Sequence, residues 1–465
     1  MAIRRGVKDM RIKEPVELWG QWWSEEYSSN PVVGVLRIVE PGNITLETFG
    51  TFDDKPSSAE TIQRIFGFTE NNRHVVLERC FYTYKSFLPG TRSRLDATFA
   101  FLSSHQKPLV DNRLLFSSVR FSIEGLDDWL GVTGISTRFN VEKRHGSISY
   151  RPPPPIRIQI TPELEVRFDF AWTLPGGGLK EAKITQQSLC VIEAQSPTDI
   201  EELSHAISTV TGFISFVTQQ PVSIHAVAGL SDDFLLSESR YKIPVDIFYR
   251  SKPHANSAAE IRRDEVLFFY KQIKKRISPI LRKWFDFYET VDPSMSLYFA
   301  NRYGVYKYLD GRFLALAQGV EVLHRRIGKR KTEMPKAKFK ALRGRIIASC
   351  PKPQQRWLEE KLSYLNEPVL AARLRELVNA FKEFYGTKEE AESFVKSTRD
   401  TRNYLTHFDS KLKDKALRGL TLHTAVEKLE LLLVLHLLRR LGLRLAEIRQ
   451  IVKKNRILSS IATPR

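Results

Sequence analysis

Arg402-Asn403-Tyr404-Leu405-Thr406-His407 sets a permanent cation five residues ahead of a histidine, close to the end of a helical pattern. A proton donor and acceptor beside a fixed positive charge is the minimum equipment for cleaving a phosphodiester without a metal. Spacing alone does not single this string out, because Arg418-Gly419-Leu420-Thr421-Leu422-His423 repeats it. Context separates the two. The first string closes a predicted helix; the second lies in a loop that enters the last one. Asn403 can hydrogen-bond the histidine or a ligand, and Arg399 adds a cation about one turn earlier. Residues five apart on an ideal helix lie about 140° apart, so one chain's Arg402 and His407 reach one phosphate only if the helix loosens at the histidine.

The elements that must position these residues fall into two classes. Segments 31–39, 43–50, 73–84, 95–102 and 113–123 are rich in β-branched and aromatic residues and punctuated by Gly, Pro, Asn and Asp. Segments 147–151, 156–160 and 164–172 alternate apolar and polar residues, the pattern of strands with one buried face. Pro152 to Pro155 form a stiff link, Gly176 to Gly178 a turn or hairpin, and 199–217 a helix closing the sheet. From about Ala258 the pattern turns helical, with helices expected over 302–327, 352–365, 367–385, 388–405 and 422–441, and a turn or two more to 452. The expectation is an α+β multidomain chain: a β-rich domain at 1–230, a helical connector at 231–296 and an all-α bundle at 297–465.

Across 465 residues, Lys and Arg outnumber Asp and Glu by 72 to 53, a net charge of +19 that favours nucleic acid over a membrane surface as partner. Residues 325–345 concentrate this charge. Arg325, Arg326, Lys329, Arg330, Lys331, Lys336 and Lys338 are candidate RNA contacts, with a plainly solvated face as the alternative. Cys80, Cys190 and Cys350 are too scattered for a disulfide framework or a zinc site and fit a reducing compartment. No H-E-x-x-H or clustered carboxylates call for a metal, and no cofactor motif is visible. The N-terminus lacks an apolar run, and the stretch 429–438 is too short to span a bilayer, so a cytoplasmic location is expected. His74, His105, His145, His205 and His225 are scattered singly. Trp19, Trp22 and Trp23 fit either the core or a contact surface.

Arg402, Asn403 and His407 together resemble the motif of HEPN-superfamily ribonucleases: an arginine, often followed by asparagine, with a histidine four to six residues after the arginine. Residues 312–326 resemble the first HEPN helix, in which Glu321 matches an acidic residue that often points toward the motif, and the apolar helix after the motif fits as well. More narrowly, 18–23, 32–38 and 121–131 are similar to the N-terminal domain of ApeA-type abortive-infection proteins. The resemblance implies a homodimer with a composite site. In it Arg402 stabilises phosphoryl charge, His407 is the general acid/base, Asn403 assists, and Glu321 and Arg399 support them. It also implies RNA as substrate, transfer RNA among the candidates, and a first domain that senses a phage-derived trigger. A non-catalytic HEPN module that binds nucleotide, RNA or a partner protein remains the alternative.

Overall fold

The computed structural model describes residues 15–24, 30–52, 61–87, 90–103, 114–173, 180, 182–235, 242–250 and 261–462. It divides into two compact units, Met1–Arg282 and Lys283–Arg465. The first is built on strands and the second on helices, which is the expected α+β class.

The first unit opens with β1 (Val16–Ser24), β2 (Val32–Val39), β3 (Asn43–Phe49), β4 (Thr61–Thr69), β5 (His74–Ser86) and β6 (Arg92–Ser103). They pair antiparallel in the order β6-β3-β2-β1-β4-β5, and β5 pairs back onto β6. The six strands therefore close on themselves as a barrel, leaving no open edge between first and last. Alternation fills its interior, with Leu36 and Ile38, Ile44 and Leu46, and Val75 and Leu77 all buried. Trp22 is fully buried among them, and its Nε1 donates to the Gly34 carbonyl at 3.1 Å. Gly67 lies against that ring: a Cβ there would stand 2.3 Å from it, so the position takes no larger residue. Trp19, of opposite parity on β1, is 42% exposed. The tryptophan cluster thus serves the core at Trp22 and the surface at Trp19.

β7 (Leu115–Ile123), α1 (Leu126–Leu130), β8 (Ile135–Asn140), β9 (His145–Tyr150), β10 (Ile156–Thr161), β11 (Leu164–Thr173) and β12 (Thr185–Asp199) come next in the chain. α2 (Ile200–Thr218), β13 (Ile224–Leu235) and β14 (Lys242–Tyr249) follow them. Beyond β6 the sheet continues as β14-β13-β7-β12-β11-β10. α2 packs on β12 and β7, buried along most of its length, and Asp199 caps it by accepting from the Glu201 N–H at 2.8 Å. Around α1, Gly125 and Gly131 hold φ of 73° and 58°, where other residues are strained. Between them Trp129 is fully buried against Phe168, Phe213 and Tyr270, and its Nε1 donates to the Phe268 carbonyl at 2.9 Å.

Several expectations change here. The connector expected at 231–296 starts as sheet, because Ile243, Val245, Ile247 and Tyr249 alternate along β14, which pairs with β6. Residues 261–269 are not helical either. Val266, Leu267 and Phe268 are buried and the Leu267 N–H donates to the Val217 carbonyl at 2.8 Å, so this apolar triplet straps the sheet unit. Helix resumes at α3 (Tyr270–Ile273) and α4 (Ile277–Thr290). The segment 147–151 alternates without a buried face, because β9 pairs only with β8 and its residues are largely exposed. Pro152 to Pro155 do link β9 to β10. Gly176 to Gly178 and His105 lie outside the described residues.

The second unit contains α5 (Asp292–Arg302), α6 (Leu309–Ile327), α7 (Lys336–Ala348), α8 (Lys352–Leu362), α9 (Leu370–Asn379), α10 (Lys388–His407), α11 (Gly419–Arg440), α12 (Leu445–Lys454) and α13 (Arg456–Ile461). α6 packs against α5, α9, α10 and α11, which makes it the shared wall of the bundle. The apolar run on α11 is buried, and its Glu430 is paired with Arg302 at 2.8 Å and accepts from Asn301 Nδ2 at 3.2 Å. Among the described residues no helix is long and apolar enough to cross a membrane. The basic connection expected between two helices is itself partly helical, since the Ala, Leu, Lys and Arg of α7 are strong helix formers.

Candidate functional site

A capping box starts α10: Thr387 Oγ1 accepts from the Glu390 N–H at 3.2 Å, and Glu390 Oε2 accepts from the Thr387 N–H at 2.7 Å. From there the helix runs unbroken through His407. Phe408 then turns left-handed at φ 51°, with its N–H donating to the Tyr404 carbonyl at 2.7 Å. The helix does not loosen ahead of the histidine. Arg402 and His407 of one chain are therefore separated by about 140° around the axis and about 7.5 Å along it.

The two side chains have different surroundings. Arg402 turns toward α6, where its Nη2 donates to Glu321 Oε2 at 3.1 Å, while its Nη1 donates to Asn403 Oδ1 at 3.1 Å. His407 is exposed and has no hydrogen-bond or ion-pair partner among the described residues. Arg399 does not join Arg402. Its guanidinium is bound to Asp400 at 2.6 and 2.8 Å, because that carboxylate is only 5% exposed and needs a counter-charge.

Behind Glu321 the polar contacts continue inward. Arg325 Nη2 donates to Glu321 Oε1 at 3.3 Å and its Nη1 to Glu367 Oε2 at 2.6 Å. The nearly buried Arg373 shares Glu367 Oε2 at 3.2 Å and donates from Nη1 to His324 Nδ1 at 3.3 Å. His324, 1% exposed, then donates from Nε2 to Glu376 Oε2 at 2.9 Å. Glu376 also accepts the backbone N–H of Lys329 at 2.6 Å and of Arg330 at 3.3 Å. Burial pushes the His324 imidazole down despite its Glu376 partner. It also works to raise the Glu376 carboxyl, but the His324 hydrogen bond and the two backbone donors outweigh it and hold that group below its usual range. One connected series of contacts thus ties Arg402 to the loop after α6.

A family model described as ApeA N-terminal domain 1 matches residues 17–284, and one described as Apea-like HEPN matches residues 314–447. The chain belongs to the ApeA family. No curated protein and no solved structure matches it. The first match ends two residues past the Arg282 boundary between the units, and it takes in β13 and β14 as well as the barrel. The second encloses Glu321 and the whole Arg402–His407 string. Together they support a HEPN-family anti-phage effector.

In this ApeA-type chain the candidate RNA-contacting residues divide by engagement. Arg325 is held by Glu321 and Glu367, and Arg330 is paired with Glu333. Lys331 Nζ donates to the Arg325 and Arg326 carbonyls at 2.6 and 3.1 Å, closing the end of α6. Arg326, Lys329, Lys336 and Lys338 are exposed, and their side chains have no partner among the described residues. The competing string resolves as helix start: Arg418 is the N-cap of α11, and the half-exposed His423 lies 3.5 Å from Glu427 one turn on. The members missed in the sequence are His324, Glu367, Arg373 and Glu376. His324 and Arg325 stand three and four residues after Glu321, a visible helical spacing, whereas the α9 partners meet them only through packing.

A second buried histidine should make the helical unit acid-sensitive. His436 on α11 is 8% exposed, donates from Nε2 to the Leu377 carbonyl at 3.1 Å and stands edge-on to Phe381. Burial pushes its imidazole down to about 4. The unfolded chain takes up that proton near pH 6.5 and the folded chain only near 4. Stability should therefore be full above about pH 6.5 and fall by roughly 3 kcal/mol as pH drops to about 4. Urea unfolding at pH 7 and pH 4.5 measures this, and His436→Gln should flatten the dependence. An unchanged midpoint in the wild-type protein would contradict it.

Proposed function

We propose that the chain is a metal-independent endoribonuclease whose Arg402 and His407 act together across a homodimer. The observation that carries this reading is the division of labour on α10. Glu321 and Asn403 fix the guanidinium toward α6, while the histidine stands exposed and unpartnered among the described residues, about 140° away on an unbroken helix. A single chain cannot aim both at one phosphate, but a second copy of α10 facing the first supplies the missing partner.

The chemistry then uses the substrate's own nucleophile. A ribose 2′-hydroxyl gives up its proton to an imidazole and attacks the adjacent phosphorus. The P–O5′ bond breaks, and the leaving 5′-oxygen takes a proton from an imidazolium. Arg402 stabilises charge on the phosphoryl oxygens with its planar fork of donors, and Asn403 and Glu321 keep that fork oriented. The products are a 2′,3′-cyclic phosphate and a 5′-hydroxyl. In the cytoplasm of an infected cell, the first unit would answer a phage-derived trigger and the helical unit would cut RNA, with transfer RNA among the candidates.

A non-catalytic RNA- or nucleotide-binding module is the second reading. The Arg402–Glu321 ion pair favours it, because a neutralised arginine also suits a purely structural role. One experiment separates the two. The purified full-length protein should cut a labelled RNA in the presence of EDTA and leave cyclic-phosphate ends. It should spare the same strand carrying a 2′-deoxyribose at the scissile position. Cleavage lost on adding EDTA, or equal cutting of the deoxy strand, would overturn the mechanism, and no cutting of any RNA would leave the binding module.

A further inference from the structure

α7 and α8 stand apart from the other long helices of their unit in what they bury. α7 buries no residue fully and α8 only Leu362, and the two pack on each other, with Arg343 Nη2 donating to the Glu359 carbonyl at 3.2 Å and to Glu359 Oε1 at 3.0 Å. An amphipathic pair built only to complete the bundle would present an apolar stripe inward. Here the exposed surface is basic instead. Lys336, Lys338, Lys340, Arg345, Lys352 and Lys361 are all exposed, and their side chains have no hydrogen bond or ion pair among the described residues. Against them the two helices carry two acids, Glu359 and Glu360, of which Glu359 is bound to Arg343.

The cations are arranged. At 100° per residue, Lys336 and Lys340 edge one side of α7 while Lys338 and Arg345 edge the other. Between the rows lie Ala337, Ala341, Gly344 and Ala348, so nothing tall keeps an incoming backbone away from either row. Trp357 on α8 is 58% exposed, and Tyr364, in the turn just past the end of α8 at Leu362, is 76% exposed. Tyr364 borders an open cleft with Arg343 and Arg356, which are paired there with Glu359 at 3.0 Å and Glu360 at 3.6 Å, so the unpaired cations for a phosphate backbone are those of the α7 rows. Exposed aromatics beside exposed cations are what unpaired bases on a phosphate backbone require: stacking faces for the bases, positive charge for the chain.

We propose that the α7–α8 hairpin is a docking arm for single-stranded RNA, with the α7 cations holding the backbone and Trp357 and Tyr364 stacking on bases. This rests on the reading that the protein acts on RNA, and it names the unpaired strand as the form engaged. A second copy of the chain is a poorer occupant, because a two-fold contact through this face sets its cations against their own copies.

The test is binding, kept separate from cleavage. Full-length protein carrying His407→Ala is titrated with a fluorescein-labelled single-stranded 20-mer RNA and, in parallel, with a duplex of the same length. Adding Trp357→Ala and Tyr364→Ala should weaken single-strand binding about ten-fold or more and leave duplex binding nearly unchanged, and Trp357→Phe should restore most of the loss. Replacing Lys338 and Arg345 by Ala should lower the slope of log affinity against log salt by about 0.7 for each phosphate contact removed. Single-strand affinity and salt slope unchanged in these variants would overturn the arm, as would a failure to bind single-stranded RNA at all. So would a shift from dimer to monomer in sedimentation, since the face would then be a protein interface. Binding through the arm without any cleavage by the wild type would sink the nuclease and leave the arm standing. Cleavage with KM unaffected by the arm variants would do the reverse.

Discussion

His407→Ala should slow RNA cleavage by about 10²- to 10⁴-fold, the usual contribution of a positioned acid/base group, and leave the melting temperature within about a degree or two of the wild type. The two halves of this expectation have separate causes. The rate falls because the imidazole is the group in the Arg402–His407 string best suited to move protons at neutral pH. Stability holds because the side chain is exposed and nothing among the described residues leans on it, and such surface changes stay within roughly 0.5 kcal/mol. Arg402→Ala should lose activity to a similar extent but with some cost in stability, since it leaves Glu321 to Arg325 alone. Mixing the two inactive variants gives the sharper result. A heterodimer keeps Arg402 on one chain and His407 on the other, so a site spanning two chains should regain part of its activity. A mixture as dead as its components would argue for a one-chain site, and wild-type cleavage by either variant alone would remove the catalytic assignment.

Trp129→Ala should lower the first unit's stability by about 3–5 kcal/mol from the lost transfer energy and the cavity left behind. The change also removes the indole N–H that the Phe268 carbonyl accepts at 2.9 Å, adding roughly 1–3 kcal/mol for a buried group left without its donor. The ring is enclosed by Phe168 from β11, Phe213 from α2 and Tyr270 from α3, three elements that cannot all close over the gap. Urea unfolding followed by near-ultraviolet circular dichroism would read the first unit's transition. Trp129→Phe, which keeps most of the volume but not the donor, should fall between the two. A loss under about 1 kcal/mol for Trp129→Ala would show that the tryptophan is not what pins α1 to the sheet.

That tryptophan also explains why the stretch 121–131 is legible as a signature. Phe121, Ile123, Leu126, Trp129 and Leu130 are all buried, and Gly125 and Gly131 hold left-handed turns. Its pattern records packing and backbone constraint. Four of the six barrel strands, at 31–39, 43–50, 73–84 and 95–102, were readable from their β-branched and aromatic residues, whereas β1 and β4 were not. Nor was the stretch from 231 to 269. β14 is a short alternating segment between residues of mixed character, and the triplet Val266, Leu267 and Phe268 looks like part of a helical stripe until its burial against the sheet unit is seen.

Resemblance to the first HEPN helix marked Glu321; by itself, the sequence determined the class of each half, the helix carrying Arg402 and His407, and its end at the histidine. These follow from local periodicity, capping residues and short-range spacing, which act over a few turns of chain. Tertiary structure alone decided the closure of β5 onto β6, the meeting of Glu321 with Arg402, the burial of Asp400 that holds Arg399, and the path from Arg325 through Glu367, Arg373 and His324 to Glu376. Charged groups find counter-charges across distances in sequence that no periodicity encodes, because burial makes an unpaired charge costly and packing determines which neighbours are within reach.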